Sequence, residues 1–153
     1  MIELTHHPLD PEVVTASVRR DTNGAVVTFL GTTRDNFEGK PVITLEYEAF
    51  PEMAVKEMEE IRRQLKAKFG IDDIAIAHRT GQVPIGEISL VVAVASPHRK
   101  EAFFACHAAV DRLKETVPIW KKEYFEGGDV WVGSQDGFHP LESVQAAISK
   151  AEA

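Results

Sequence analysis

The chain has 153 residues, 44% hydrophobic and 27% charged, with one cysteine and a formal net charge of −7. That length suits a single domain over residues 1–153. The lone Cys106 excludes an internal disulfide and any cysteine-built zinc or iron–sulfur centre, and the acidic balance argues against binding nucleic-acid phosphates.

No apolar run nears the roughly 18 residues of a membrane span. The opening "MIELTHHPLD" has neither the basic start and apolar core of a secretory signal nor the Arg-rich character of a transit peptide, so a soluble, cytoplasmic protein is expected. "DPEVVTASVRR" (10–20) starts acidic, carries Pro11 at a first helical position and ends basic, which predicts a short helix. "GAVVTFLG" (24–31) reads as a buried strand. "PVITLEYEAF" (41–50) alternates Ile43, Leu45, Tyr47 and Ala49 with Thr44, Glu46 and Glu48, the pattern of a half-buried strand. Between them "TTRDNFEGK" predicts a long hairpin-like loop with Arg34 near its start.

"PEMAVKEMEEIRRQLKAKFG" (51–70) aligns Met58, Ile61, Leu65 and Phe69 on one helical face, with Pro51 opening the helix and Gly70 closing it. "IDDIAIAHRT" and "EISLVVAVAS" read as strands, the second fully buried, joined by the turn-rich "GQVPIG". A second long helix is expected from Pro97, with Ser96 as its N-cap and Phe103, Cys106, Val110, Leu113 and Val117 on its buried face, until Pro118 ends it. "KKEYFEGGDVWVG" predicts two short strands about Gly127-Gly128, and "PLESVQAAISKAEA" a terminal helix. The order of elements implies α+β architecture with a largely antiparallel sheet and two long helices.

The basic residues are oddly placed for an acidic protein. His98, Arg99 and Lys100 fill the first turn of the second long helix, where cations oppose the macrodipole. They suit an anion bound at that helix start, or they simply splay into water or pair with distant carboxylates. Arg34 and Lys121 also stand where elements meet, and Lys114 borders a buried helical stripe, so it is an ordinary helix-surface lysine or one whose stem packs while its ammonium reaches a cleft. Trp120 is placed to wall a pocket or to fill the core. Crowded cations repel, which would favour a neutral, nucleophilic amine among them. Cys106 lies within an apolar ladder and reads as a structural thiol. His107 and Asp111 sit one turn apart, a common surface pair. The other histidines show no metal-ligand spacing, and no GxGxxG, Walker or GxSxG motif is present. The residues alone therefore point to an anion pocket containing reactive lysines.

Three blocks, "FLGTTRDNFEGKPVITLEYEAFPEMA", "HRTGQVPIGEISLVVAVASPHRKEAF" and "DRLKETVPIWKKEYFEGGDVWVG", resemble the large, catalytic subunit family of molybdopterin synthase, over about residues 22–134. The resemblance implies an α/β-hammerhead type of fold. It also implies a central homodimer with a small ubiquitin-like sulfur-carrier subunit at each end, the core of a heterotetramer. The carrier's Gly-Gly thiocarboxylate tail would deliver sulfur to cyclic pyranopterin monophosphate, with no resident cofactor or metal. The family's pocket lysines fall on Lys114 and Lys121, as the catalytic pair. Its substrate-holding residues fall on Thr32, Thr33, Arg34, His98, Arg99, Lys122 and Glu123, and the sequence does not decide which of them the second chain of a dimer would supply.

Two other classes compete. A non-catalytic anion-binding module would tolerate arginine at either lysine position. An RNA-binding α+β domain would need a basic, aromatic sheet face, which Glu46 and Glu48 oppose.

Overall fold

The computed structural model describes residues 1–128 and 130–134. The helix expected from Pro140 onward lies outside the described residues. Along the chain run β1 (Ile2–Thr5), α1 (Pro11–Val18), β2 (Ala25–Thr32), β3 (Asn36–Phe37), β4 (Lys40–Ala49), α2 (Pro51–Phe69), β5 (Asp73–Arg79), β6 (Gly81–Pro84), β7 (Ile88–Ser96), α3 (Arg99–Thr116), β8 (Ile119–Phe125) and β9 (Val130–Ser134). The α+β expectation holds, and among the described residues all pairings are antiparallel except β1 with β5.

One sheet has the order β1-β5-β7-β2. Its middle strands are apolar on both faces because both faces are covered. On one side Val14 and Val18 of α1 pack against Ala75, Ala77, Val91, Ala93 and Ala95. On the other, Met58, Ile61 and Leu65 of α2 and Ala102, Ala105, Ala109 and Leu113 of α3 pack against Ile74, Ile76, Val92 and Val94. α1 begins as its sequence predicts, with Asp10 accepting from the Glu12 N–H at 2.9 Å and Pro11 in the first turn. Gly70 ends α2 in the left-handed region (φ 64°), where its N–H reaches Lys66 O.

A second sheet is built around β4, which pairs with β3, β6 and β8, while β9 extends it beyond β8. "GQVP" is thus a strand rather than part of a turn. Gly81 and Gly86, both at positive φ, bracket it, and pairing with Thr44–Tyr47 overrides its weak propensity. The alternation in β4 also breaks. A bulge between Val42 and Thr44 puts Val42 in the core and leaves Ile43 58% exposed, whereas Leu45 and Tyr47 stay buried as expected.

The start of α3 differs from expectation as well. Ser96 is not its N-cap, because Ser96 still pairs with Ala25 in the β7–β2 ladder. Pro97 follows, and His98 takes the cap position without a side-chain cap bond. The buried stripe of α3 runs through its alanines, Cys106 and Leu113, and Phe103 is 60% exposed on its flank.

Candidate active site

Where the two sheets meet, the C-terminal end of β2, the start of β7, the last turn of α3 and the inner face of β8 enclose a pocket of about 340 Å³. Antiparallel pairing decides which side chains enter it. Tyr47 of β4 lies opposite Lys121 of β8, and Leu45 lies opposite Glu123. Strand side chains alternate, so Lys121 and Glu123 share the inner face with Ile119 and Phe125. Lys114 arrives from α3, one residue after the buried Leu113. Thr32, Arg34 and Asn36 arrive from β2 and the segment after it.

Lys121 Nζ and Glu123 Oε1 are 3.0 Å apart, with side chains only 13% and 5% exposed. Removing either partner of so enclosed a pair would leave an uncompensated charge, at a cost of several kcal/mol. The second carboxylate oxygen of Glu123 is buried and accepts no hydrogen bond from the described residues. Burial pushes the Tyr47 phenol above its ordinary pKa. The neighbouring Ser89 hydroxyl acts in the opposite direction, and the Glu123 carboxylate adds to the rise. Tyr47 is therefore a neutral hydroxyl at physiological pH. Ser89 Oγ itself donates to Gly31 O at 3.3 Å. At the mouth, the exposed Arg34 guanidinium lies 5.9 Å from the centre of the Phe37 ring.

The structure brings together Thr32, Arg34, Lys114, Lys121 and Glu123 of the residues expected from sequence. Thr33 sits behind the wall, with its N–H donating to Glu87 O and its hydroxyl buried without a partner among the described residues. Lys122 does not enter the pocket. It points from the opposite face of β8 and its ammonium donates to Glu48 Oε1 at 2.7 Å. Trp120 shares that outer face and packs against Phe50 (5.3 Å between ring centroids), so it does not wall the pocket either. His98 and Arg99 are exposed at the far end of α3. The cations are thus not an uncompensated cluster, since Glu123 already balances Lys121.

Asn36, Tyr47 and Ser89 also line the pocket and were not singled out from sequence. The inward alternation of β4 marks Tyr47, but only the pairing register sets it opposite Lys121. Cys106 is a buried thiol pushed up to about 11 by desolvation, and His107 pairs with Asp111 at 3.2 Å on the surface; both agree with their structural reading. No cluster of three or more histidine, cysteine or acidic side chains suited to a metal occurs among the described residues.

The model of the MoaE protein family matches residues 4–116 of this chain. The molybdopterin synthase catalytic subunit 1 of Aedes aegypti is 46% identical over 129 residues, covering 84% of this chain and 83% of that protein. The molybdopterin synthase catalytic subunit of Bacillus subtilis is 43% identical over 133 residues, covering 87% and 85%. Among solved structures, molybdopterin synthase from Staphylococcus aureus superposes with a TM-score of 0.82 at 36% identity, covering 86% of this chain and 96% of that one.

Proposed function

The chain belongs to the MoaE protein family, and from that premise we infer that it is the catalytic subunit of a molybdopterin synthase. In this reading it is a sulfurtransferase that moves sulfur from the C-terminal thiocarboxylate of a small ubiquitin-like carrier subunit to cyclic pyranopterin monophosphate, forming the dithiolene of molybdopterin. The observation that carries the reading is the convergence of Lys114 and Lys121, from α3 and β8, on one walled pocket with Arg34 at its mouth. A thiocarboxylate and a cyclic phosphate are both anions, and an ammonium group as largely buried as that of Lys121 stabilises anionic species better than it would in water. Lys114 stands closest to the sulfur-transfer chemistry in this assignment, with Lys121 assisting. Thr32 and Arg34 hold the substrate.

His98 and Arg99 act in this scheme from a second copy. β2 and β7 are antiparallel, so Ser96 sits at the Ala25 end of β2 and the pocket at the Thr32 end. β2 has a strand neighbour on one edge only among the described residues, and Phe103 and Phe104 are exposed on α3 nearby. A two-fold axis near the middle of β2 would carry the basic turn of one copy towards the pocket of the other. The working assembly is then a homodimer with a carrier at each end, placed in the cytoplasm. No helix among the described residues is long and apolar enough to cross a membrane.

Reconstitution tests the function. The protein is mixed with thiocarboxylated carrier and cyclic pyranopterin monophosphate, and molybdopterin is assayed. Product dependent on this chain is the expected result. Folded protein that binds carrier and yields no product would overturn the reading.

A further inference from the structure

Glu123 is an anion in a pocket that, on the sulfur-transfer reading, must accept two anionic reactants. The residue is 4% exposed, on a β8 face that it shares with Lys121 and the apolar Ile119 and Phe125. One oxygen is ion-paired with Lys121, and the other is buried without a hydrogen-bond partner among the described residues. Buried polar atoms nearly always find a partner, so an orphaned carboxylate oxygen in a reaction pocket asks for a proton-bearing species in the working complex. A counter-ion for Lys121 would need only one oxygen.

The chemistry supplies that species. When a thiocarboxylate sulfur displaces an oxygen substituent from a substrate carbon, the carbon–oxygen bond breaks with its electron pair going to the departing phosphate or hydroxyl oxygen, the sulfur remains bonded to the carrier's acyl carbon, and the product of that step is a thioester joining carrier to substrate. The carrier leaves only when this acyl–sulfur bond is broken. We propose that Glu123 is the catalytic base for that release, taking a proton from the water that attacks the thioester carbonyl; the proposal rests on the sulfur-transfer reading. The hydroxide oxygen forms the new bond to the acyl carbon, and the tetrahedral oxyanion faces the pocket ammonium groups. The carbon–sulfur bond then breaks with its electron pair going to sulfur, and Glu123 returns the proton to the leaving thiolate. The carrier departs as a carboxylate after losing its acid proton to solvent. Water is the only co-reactant, and no oxidant or reductant is required.

The test is a single turnover of the assembled protein with thiocarboxylated carrier and cyclic pyranopterin monophosphate, quenched at intervals and read by intact mass. Glu123→Gln keeps an acceptor for Lys121 and loses the base. The expected result is that it still forms the covalent carrier–substrate adduct but releases it on the order of a hundredfold more slowly than wild type. Hydroxylamine, which needs no base, should cleave that adduct and leave the carrier as its hydroxamate. Release at the wild-type rate, or loss of adduct formation itself, would overturn the proposal, the latter because Glu123 would then only position Lys121. If the variant does not fold, wild-type protein in heavy water carries the test. Adduct decay should slow while adduct formation is unchanged, and equal decay in the two solvents overturns the base assignment. If wild type forms neither adduct nor product, the sulfur-transfer reading itself has failed, a result distinct from all of these.

Discussion

Arg99 and Lys114 lie at opposite ends of α3, about 22 Å apart along the axis at 1.5 Å per residue. No rotamer change brings them to one small substrate within a chain. If both serve the reaction, they serve it across a dimer, and this separates them genetically. Inactive Lys114→Ala and Arg99→Ala proteins, unfolded and refolded together, should regain about a quarter of wild-type turnover, because half the dimers are mixed and each mixed dimer holds one intact site. No regain in the mixture would place both residues' roles in the same chain.

Adjacent lysines on β8 should behave differently. Lys121→Ala removes the partner of a nearly buried carboxylate and a pocket cation, with an expected loss of turnover on the order of a hundredfold or more. Lys122→Ala breaks a partly exposed pair with Glu48, worth at most about 1 kcal/mol, so turnover should stay within about fivefold. Steady-state kinetics on the two variants would check the contrast.

His78 makes stability depend on acidity. Its ring is buried beneath Tyr47, and desolvation lowers its pKa to about 4 from an ordinary 6.5, although its contact with the Arg79 carbonyl acts the other way. As pH falls below 6.5 the unfolded chain gains a proton that the folded ring refuses, so the contribution is complete above 6.5 and is lost progressively down to about 4. The loss is about 3 kcal/mol at most. Denaturant titrations between pH 7 and 4 should show a shallower decline for His78→Gln than for wild type.

Gly24 approaches the Pro97 carbonyl so closely that an added Cβ would lie 2.4 Å from its oxygen. Gly24→Ala must therefore push the β7–α3 junction outward, at a cost of about 1–3 kcal/mol. Because His98 and Arg99 follow directly, the substrate KM should rise along with the fall in Tm. A fall in Tm with unchanged KM would remove the basic turn from substrate binding.

The helical core is the simplest case. Met58→Ala in the fully buried stripe of α2 should cost about 2–5 kcal/mol, measured by chemical denaturation.

Helices α1 and α2 were legible in the sequence because local signals agreed there: a capping aspartate, prolines at first turns, a closing glycine and a 3.6-residue apolar period. The buried run of β7 was legible for the same reason. β6 was not, since its glycines and proline spell a turn and only pairing with β4 makes it a strand. The bulge at Val42 was likewise invisible, because a single added residue changes no composition. In the pocket, the reactive residue types could be named from sequence, but their faces could not. The motif "KKE" offers two lysines, and strand alternation admits one. Tyr47 and Ser89 carry no motif at all and become pocket residues through register alone.

That one-residue alternation along β8 has a consequence for how the chain can vary. Deleting a single residue between Ile119 and Lys121 would carry Lys122 to the inner face, so a lysine would still occupy the pocket. Tyr124 would arrive where Glu123 stood, and the tyrosine hydroxyl now bonded to Glu46 would be turned inward. Such a protein would keep nearly the same composition and the same basic dipeptide while losing its buried acid. A one-residue deletion in this short segment should therefore remove Glu123 from the pocket while a lysine stays there, and a functional survey of β8 should scan insertions and deletions as well as substitutions.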